Sequence, residues 1–414
     1  MSEKSLIPAI RFKGFTEAWE QRELTKVFNN FIVPMRDKPK SFGGDIPWTR
    51  IEDIEGKYLN GTLSNQYVTQ KTVDEMNLKI IPKDSLIVSA SASFGIVAIV
   101  TNDLLTNQTF IGLVPNPAYD LDYLYYIFQS DNLRRQMSDK SAGSTIFYIP
   151  QNEFKKMNDY FPVLPEQKKI GALFDSVDSL ITLHQRKLDK LIQLKSSFLD
   201  KMFPAEGAVT PKIRFKGFCD AWEQRKLGNE GTTFTGLSGK TKDDFGHGDG
   251  AFVTYMNVFK NPISDPKMVE PIDIDNSQKE IRYGDIFFTT SSETPEEVGM
   301  SSIWTEKATN TYLNSFCFGY RLNDLNKYNL SFLAYNFRAE SFRKDMILLA
   351  QGISRYNISK NKVMEIQTFV PKGLDEQSKI GKFLIEVDEL ITLHQRKLEM
   401  LKNLKSSLLE KMFV

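Results

Sequence analysis

Two seven-residue series run through residues 166–203: Ile170, Val177, His184, Leu191 and Phe198, and beside them Phe174, Ile181, Leu188, Lys195 and Met202. All but His184 and Lys195 are apolar. A heptad pattern sustained over this length predicts a helix packed along another helix. Pro165 before the stretch and Pro204 after it mark its ends. The pattern returns at 376–413, as Ile380, Val387, His394, Leu401 and Leu408 beside Leu384, Ile391, Leu398, Lys405 and Met412. Two such helices in one chain are natural partners.

The recurrence extends to the letters. LITLHQRKL stands unchanged at 180–188 and 390–398, and 166–203 aligns without gaps to 376–413. A second repeated block opens each half, PAIRFKGFTEAWEQREL at 8–24 and PKIRFKGFCDAWEQRKL at 211–227. An internal repeat of this size means one structural unit used twice. The offset is 203 residues at Ile10 and Ile213 but 210 at His184 and His394, so the material between the blocks differs by seven residues in length. It also shows little identity. Each half is therefore a constant opening, a variable body and a constant helix. The expected boundaries are 1–165 and 212–375 for the two domains, 166–203 and 376–414 for the helices, and 204–211, PAEGAVTP, for the linker.

Within the bodies, IPWTRIEDI (46–54) has a counterpart in AFVTYMNV (251–258). The stretches 80–100 and 280–304 both read as strand, polar loop, strand. The aromatic-rich stretches 122–137 and 331–346 read as helices. Each is followed by a Gly-containing polar loop, SAGSTIFYIP or AQGISRYNIS, and then a short strand near Pro165 or Pro371. The bodies share an order of elements while differing in residues.

Composition narrows the chemistry. With 414 residues, 41% hydrophobic and 25% charged, the chain has room for two or three soluble domains. The start carries no signal-peptide pattern and no stretch has the roughly 18 apolar residues of a membrane span, so no membrane association and a cytoplasmic location are the expectation. Net charge is +1, not the strongly basic balance of a stand-alone nucleic-acid binder. Cys219 and Cys317, the only cysteines, make neither a disulfide framework nor a Cys-based zinc site. Three histidines exclude His-Glu-x-x-His metal sites, and no metal is expected. His184 and His394 lie in an apolar seam and read as packed side chains, because no further zinc ligands repeat beside them. In a full-register antiparallel pair the two imidazoles would meet near the helix midpoints.

Two strings resemble catalytic motifs and fail. GLSGKTKDDFG (236–246) has Phe234 where a phosphate-binding loop needs its first Gly, and reads as a surface turn. VPNPAYD (114–120) has Ala118 where adenine methyltransferases carry a second Pro, and no Gly-rich cofactor loop precedes it. No nucleophile–base set recurs in both halves, so no catalytic residues are assigned. What remains is binding. The polar loops carry Arg50, Ser89, Ser91, Ser93, Ser144, Thr145 and Tyr148 in the first body, and Asn257, Thr289, Ser291, Ser292, Ser354, Arg355 and Asn357 in the second. These residue types donate to phosphates and read groove edges. Arg134, Arg135, Lys155 and Lys156 could add phosphate contacts. Any single one also reads as a solvated side chain; the weight lies in their matched placement after equivalent strands.

The layout as a whole, an FxGF…W opening, a variable body and a near-identical helix ending in LKSSFLDKMF or LKSSLLEKMF, resembles the specificity subunit of type I restriction–modification enzymes. The resemblance covers nearly the whole chain. It implies an α+β protein: two mixed α/β target-recognition domains in a pseudo-two-fold arrangement, separated by two long antiparallel coiled-coil helices. Each domain would read one half of a split, asymmetric site in double-stranded DNA. The chain itself would be non-catalytic and bind no cofactor. Two modification subunits would use S-adenosylmethionine, and restriction subunits would use ATP and Mg2+. The alternatives are a solitary adenine-N6 methyltransferase and a repeat-built interaction scaffold with no DNA role.

Overall fold

The computed structural model describes residues 7–34, 38–90, 95–141 and 148–414. The chain divides into two units, one of residues 1–185 with 396–414, the other of residues 186–395. The first unit is thus closed by the last stretch of the chain.

In the first unit the β-branched run at 80–100 forms strands Leu86–Ser89 and Val97–Val100, paired antiparallel. Every residue of both is buried, so neither shows polar alternation. They sit inside a five-stranded sheet, in the order Phe28–Ile32, Phe110–Pro115, Leu86–Ser89, Val97–Val100, Tyr58–Leu59. A three-stranded sheet sets Ile46–Thr49 between Tyr67–Val68 and Leu105–Thr106. The second unit repeats this plan. Its four-stranded sheet runs Gly231–Thr235, Cys317–Leu322, Ile286–Thr289, Ser301–Ile303, and Phe245–Val253 lies between Val269–Ile272 and Thr311–Leu313. The bodies therefore share a fold despite their divergent residues.

One element, read in each half as a single helix, departs from the sequence reading. The stretch 122–137 forms not one helix but two, Leu121–Ile127 and Asp131–Asp139. Ser130 makes the break, since its hydroxyl accepts the Leu133 N–H at 3.4 Å and caps the second helix. In the second unit Leu330–Asn336 and Glu340–Leu348 are likewise separate. The string 251–258 passes from strand into helix at Thr254, whose hydroxyl accepts the Asn257 N–H and caps Tyr255–Lys260.

The long helices run Leu164–Lys201 and Leu374–Met412, with Pro165 inside the first turn, where its missing N–H is harmless. Each starts on a joint built from the repeated blocks. In the first unit Arg11 donates from Nε and Nη2 to the two oxygens of Glu166, at 2.7 and 2.8 Å. In the second Arg214 does the same to Glu376, at 2.6 and 2.8 Å. The hydrogen bond to Glu166, countered by burial, pushes the Arg11 guanidinium pKa up. The next residue ties the helix to the body: Gln167 accepts the Asp120 N–H and Gln377 the Asn329 N–H. Strands Glu20–Glu23 and Asn158–Phe161, and their counterparts Glu223–Lys226 and Gln367–Val370, complete the two joints.

Within each unit the helix segments run antiparallel. Phe174 stacks on Phe413 at 5.8 Å while Asp178 pairs with Lys405 at 2.7 Å. In the second unit Lys195 pairs with Asp388 at 2.5 Å and Phe198 meets Phe383 at 4.9 Å. Asp178 and Asp388 are the same repeat position, as are Lys195 and Lys405. Tyr126 and Tyr335, also equivalent, donate to those aspartates at 2.8 Å. Each helix copy thus gives its Asp to one unit and its Lys to the other. These pairs set the register. Counting six residues along each helix from Asp178 and Lys405 brings His184 level with Glu399, and the same count from Asp388 and Lys195 brings His394 level with Asp189. Both differ by five positions from full register. In this stagger each seam lysine reaches a carboxylate of the facing helix.

Of the seam residues, Ile170, Val177, Ile380, Val387 and Leu401 are buried, Leu408 packs on the first unit's core and Phe198 on the second's. Leu191, His184 and His394 are half-buried. The termini of the helices return to the opening blocks: Ile10 N–H donates to the Lys411 carbonyl at 2.9 Å, and Ile213 N–H to the Lys201 carbonyl at 2.8 Å.

Candidate functional site

In each unit the ends of two polar loops meet beside the central strand of the larger sheet. One follows the central strand Leu86–Ser89 or Ile286–Thr289; the other follows the helix Asp131–Asp139 or Glu340–Leu348. One backbone bond between them is the same in both units. Ile149 N–H donates to the Ala90 carbonyl at 2.9 Å, and Ile358 N–H to the Thr290 carbonyl at 3.0 Å.

In the first unit Ser91, Ser93, Ser144 and Thr145 lie outside the described residues. Ser89 is fully buried in its strand. Tyr148 is half exposed, one residue before the loop-joining bond. Arg134 and Arg135 are exposed on the neighbouring helix. Arg50 follows the strand Ile46–Thr49 of the smaller sheet and donates to Gln66 at 2.8 Å. Lys155 lies over the Phe31 ring at 5.4 Å, and Lys156 pairs with Glu153 at 3.1 Å.

In the second unit the candidates separate into two sets. Asn257 is fully buried: its amide donates to the Asp265 and Met268 carbonyls, and its oxygen accepts from Asp265 N–H and Asn261. Thr289 is buried and accepts the Met300 N–H at 2.9 Å. Ser292 donates to Glu297 at 3.1 Å. These side chains shape the loop. Ser354, Arg355 and Asn357 are exposed on it. The two-residue strand Ser291–Ser292 pairs with Tyr356–Asn357, bringing Ser291, Arg355 and Asn357 together.

Sequence reasoning missed the residues that hold this loop. Arg343 donates to the Glu296, Val298 and Gly299 carbonyls, and Arg338 to those of Val258, Phe259, Lys260 and Ser301. Burial lowers the Arg338 pKa to about 9 and that of Arg343 to about 10, so both remain cations at neutral pH. Their signal, FRAESFRKDM within a helical stretch, is no different from that of solvated arginines.

The rejected motifs are turns. Asn116 accepts the Ala118 N–H at 3.0 Å, closing an Asx turn after the strand Phe110–Pro115. Thr241 N–H donates to Asp244 at 2.7 Å within 236–246. Among the described residues no cluster of three His, Cys, Asp or Glu is placed to hold a metal, and no helix is long and apolar enough to cross a membrane.

Comparison with known proteins is consistent across sequence and fold. A family model described as type I restriction modification DNA specificity domain matches the chain twice, at 16–193 and 220–403. The MjaIX specificity subunit of Methanocaldococcus jannaschii is 30% identical over 196 residues, 45% of each chain. A second from that organism, described as a putative MjaX specificity subunit, is 27% identical over 229 residues. The chain thus spans about half the length of these curated relatives, 45% and 53%. The MjaVIII specificity subunit matches at 22% identity over 91% of this chain and 90% of its own. Among solved structures, the type I restriction–modification S subunit of M. genitalium superposes with a TM-score of 0.60 at 15% identity, covering 99% of both chains.

Proposed function

We propose, from the premise that the chain belongs to the type I restriction modification DNA specificity family, that it is the specificity subunit of a type I restriction–modification complex. Each unit reads one half of a bipartite, asymmetric site in double-stranded DNA. The observation that carries this is the contrast within each unit. The Arg–Glu joint, the Asp–Lys seam pair and the Ile149 or Ile358 loop-joining bond are the same in both. The loops they position differ in nearly every residue. One scaffold used twice with two different loop surfaces suits one chain that must read two different half-sites.

The chain is non-catalytic in this reading and works in the cytoplasm. Methyl transfer, with S-adenosylmethionine, belongs to two modification subunits, and ATP- and Mg2+-dependent cleavage to restriction subunits. The helices supply docking surface. Leu180, Leu183, Met400 and Leu404 are exposed on the helix pair of the first unit, and Ile192, Leu194, Leu390 and Leu393 on that of the second. In this reading these exposed apolar side chains contribute to the face that the modification subunits cover. The test is to exchange residues 25–160 for the equivalent body of a relative, express the chimera with the modification subunit and map methylated adenines. One half of the recognised sequence should change and the other stay. A change in both halves rejects the modular reading.

A further inference from the structure

We propose that Arg355 is the residue through which the second unit reads a guanine in the major groove of its half-site. This rests on the reading of the chain as a DNA specificity subunit.

Arg355 sits on a hairpin closed by paired bonds between Gln351 and Asn357, at 2.9 and 2.8 Å. Gly352 has φ 144°, and a Cβ there would lie 2.0 Å from the Arg355 carbonyl oxygen. Only glycine permits this turn, and the turn sets where Arg355 emerges. The side chain is then held at two points. Its Nε donates to Ser291 Oγ at 2.6 Å, and its guanidinium lies 5.4 Å from the Phe316 ring centroid. Ser291 is itself buried, and its carbonyl accepts the Tyr255 hydroxyl at 2.8 Å, so the anchor does not drift.

With Nε committed, the edge carrying Nη1 and Nη2 is left. Among the described residues neither nitrogen makes a hydrogen bond or ion pair. That edge is a planar pair of donors on a restrained, exposed side chain, the geometry that bonds O6 and N7 of guanine together. A phosphate contact is the competing use, and the surroundings oppose it. Glu293, Glu296 and Glu297 are exposed on the adjoining loop, where carboxylates repel a phosphate but accept from a cytosine amino group. The halves also differ here. Counting back three residues from the equivalent Ile149 and Ile358 gives Ile146 in the first unit and Arg355 in the second. An isoleucine cannot make the same readout.

The experiment uses the full chain co-expressed with its modification subunit, with adenine methylation mapped across the host genome. Wild type, Arg355→Ala and Arg355→Lys are compared, with melting curves of each. We expect the wild-type site to contain a G·C pair in one half that Arg355→Ala no longer requires. Discrimination at that pair should fall by about 5- to 150-fold, with every other position unchanged. Arg355→Lys, which keeps the charge but loses the planar fork and its hold on Ser291 and Phe316, should weaken discrimination at the same pair. An unchanged site in Arg355→Ala overturns the assignment. So does a uniform loss of methylation at all sites with the site itself unaltered, which marks a phosphate contact. A wild-type complex that directs no methylation to a split site removes the specificity-subunit reading and this inference with it. A split site in wild type that ignores Arg355 removes this inference alone.

Discussion

Replacing Arg11 by Met removes a charge from a buried pair while keeping the side chain's length and apolar stem. Glu166 is fully buried and Arg11 nearly so, with two hydrogen bonds at 2.7 and 2.8 Å between them. The variant leaves the Glu166 carboxylate without its cation in a site closed to water. Breaking one side of a buried pair costs about 3–5 kcal/mol. The first unit contains 204 residues, 185 from the start and 19 from the end. For a domain of this size each kcal/mol lowers Tm by about 2–4 °C, giving a loss of about 6–20 °C. Scanning calorimetry of the full chain should show it as a splitting of the unfolding profile. The first unit's transition moves down, while that of the second unit, with its own Arg214–Glu376 pair, stays. Added salt should alter the loss little, because the pair is shielded from solvent. The double variant Arg11→Met, Glu166→Leu should recover most of the loss, since it leaves no buried charge behind. A shift under about 2 °C in the single variant, or a double variant no more stable than the single, would refute the reasoning.

Three further outcomes are expected. Lengthening both long helices by one heptad should widen the spacer of the recognised DNA from roughly one helical turn between half-site centres; an active variant with an unchanged spacer ends the idea of the helices as a ruler. A circular permutant joining Val414 to Met1 through a short linker, and opened between Gly207 and Ala208, should fold and direct methylation to the same site, because Ile10–Lys411 and Ile213–Lys201 are equivalent bonds; an insoluble or inactive permutant beside an active wild type counts against equivalent closures. His247 has its pKa raised by its bond to the Asp243 carbonyl and by Asp273. Its stabilising contribution is full below the unfolded value near 6.5 and fades as pH rises through the raised value, so an NMR titration midpoint at or below about 6.5 contradicts the placement.

The helices and their pairing were legible because a seven-residue period survives over 38 residues and is printed twice. The register was not, because it depends on which carboxylate a seam lysine reaches, and Asp175, Asp178 and Asp189 all offer one. The strand pairs at 80–100 and 280–304 announced themselves through β-branched residues around a polar loop. The break at Ser130 did not, since a serine inside an apolar helical pattern is usually tolerated and here it caps. Among the candidate binding residues, the sequence marks which loops carry polar groups but not which way they point. Asn257 and Thr289 turned inward to satisfy backbone groups the fold buries, and Arg355 remained outside. The Arg11–Glu166 joint was visible only as two residues 155 positions apart in two repeated blocks, with nothing local to say that they touch.

The closure of the first unit by the chain's last stretch has a consequence for its synthesis. Domains usually fold in the order in which they leave the ribosome, N-terminal first. Here residues 186–395 form a contiguous unit that has all its parts before 396–414 have been made. The first unit waits. Trp19, Tyr123 and Phe174 stay without Met412 and Phe413, the core partners that arrive last. At about 5–20 residues per second, the 229 residues from 185 to 414 take roughly 11–46 s to emerge. For that interval the earlier-made unit presents an unfilled aromatic core to the cell, and the later-made one is ready first. A truncation that removes Met412 and Phe413 would therefore injure the unit that was begun first.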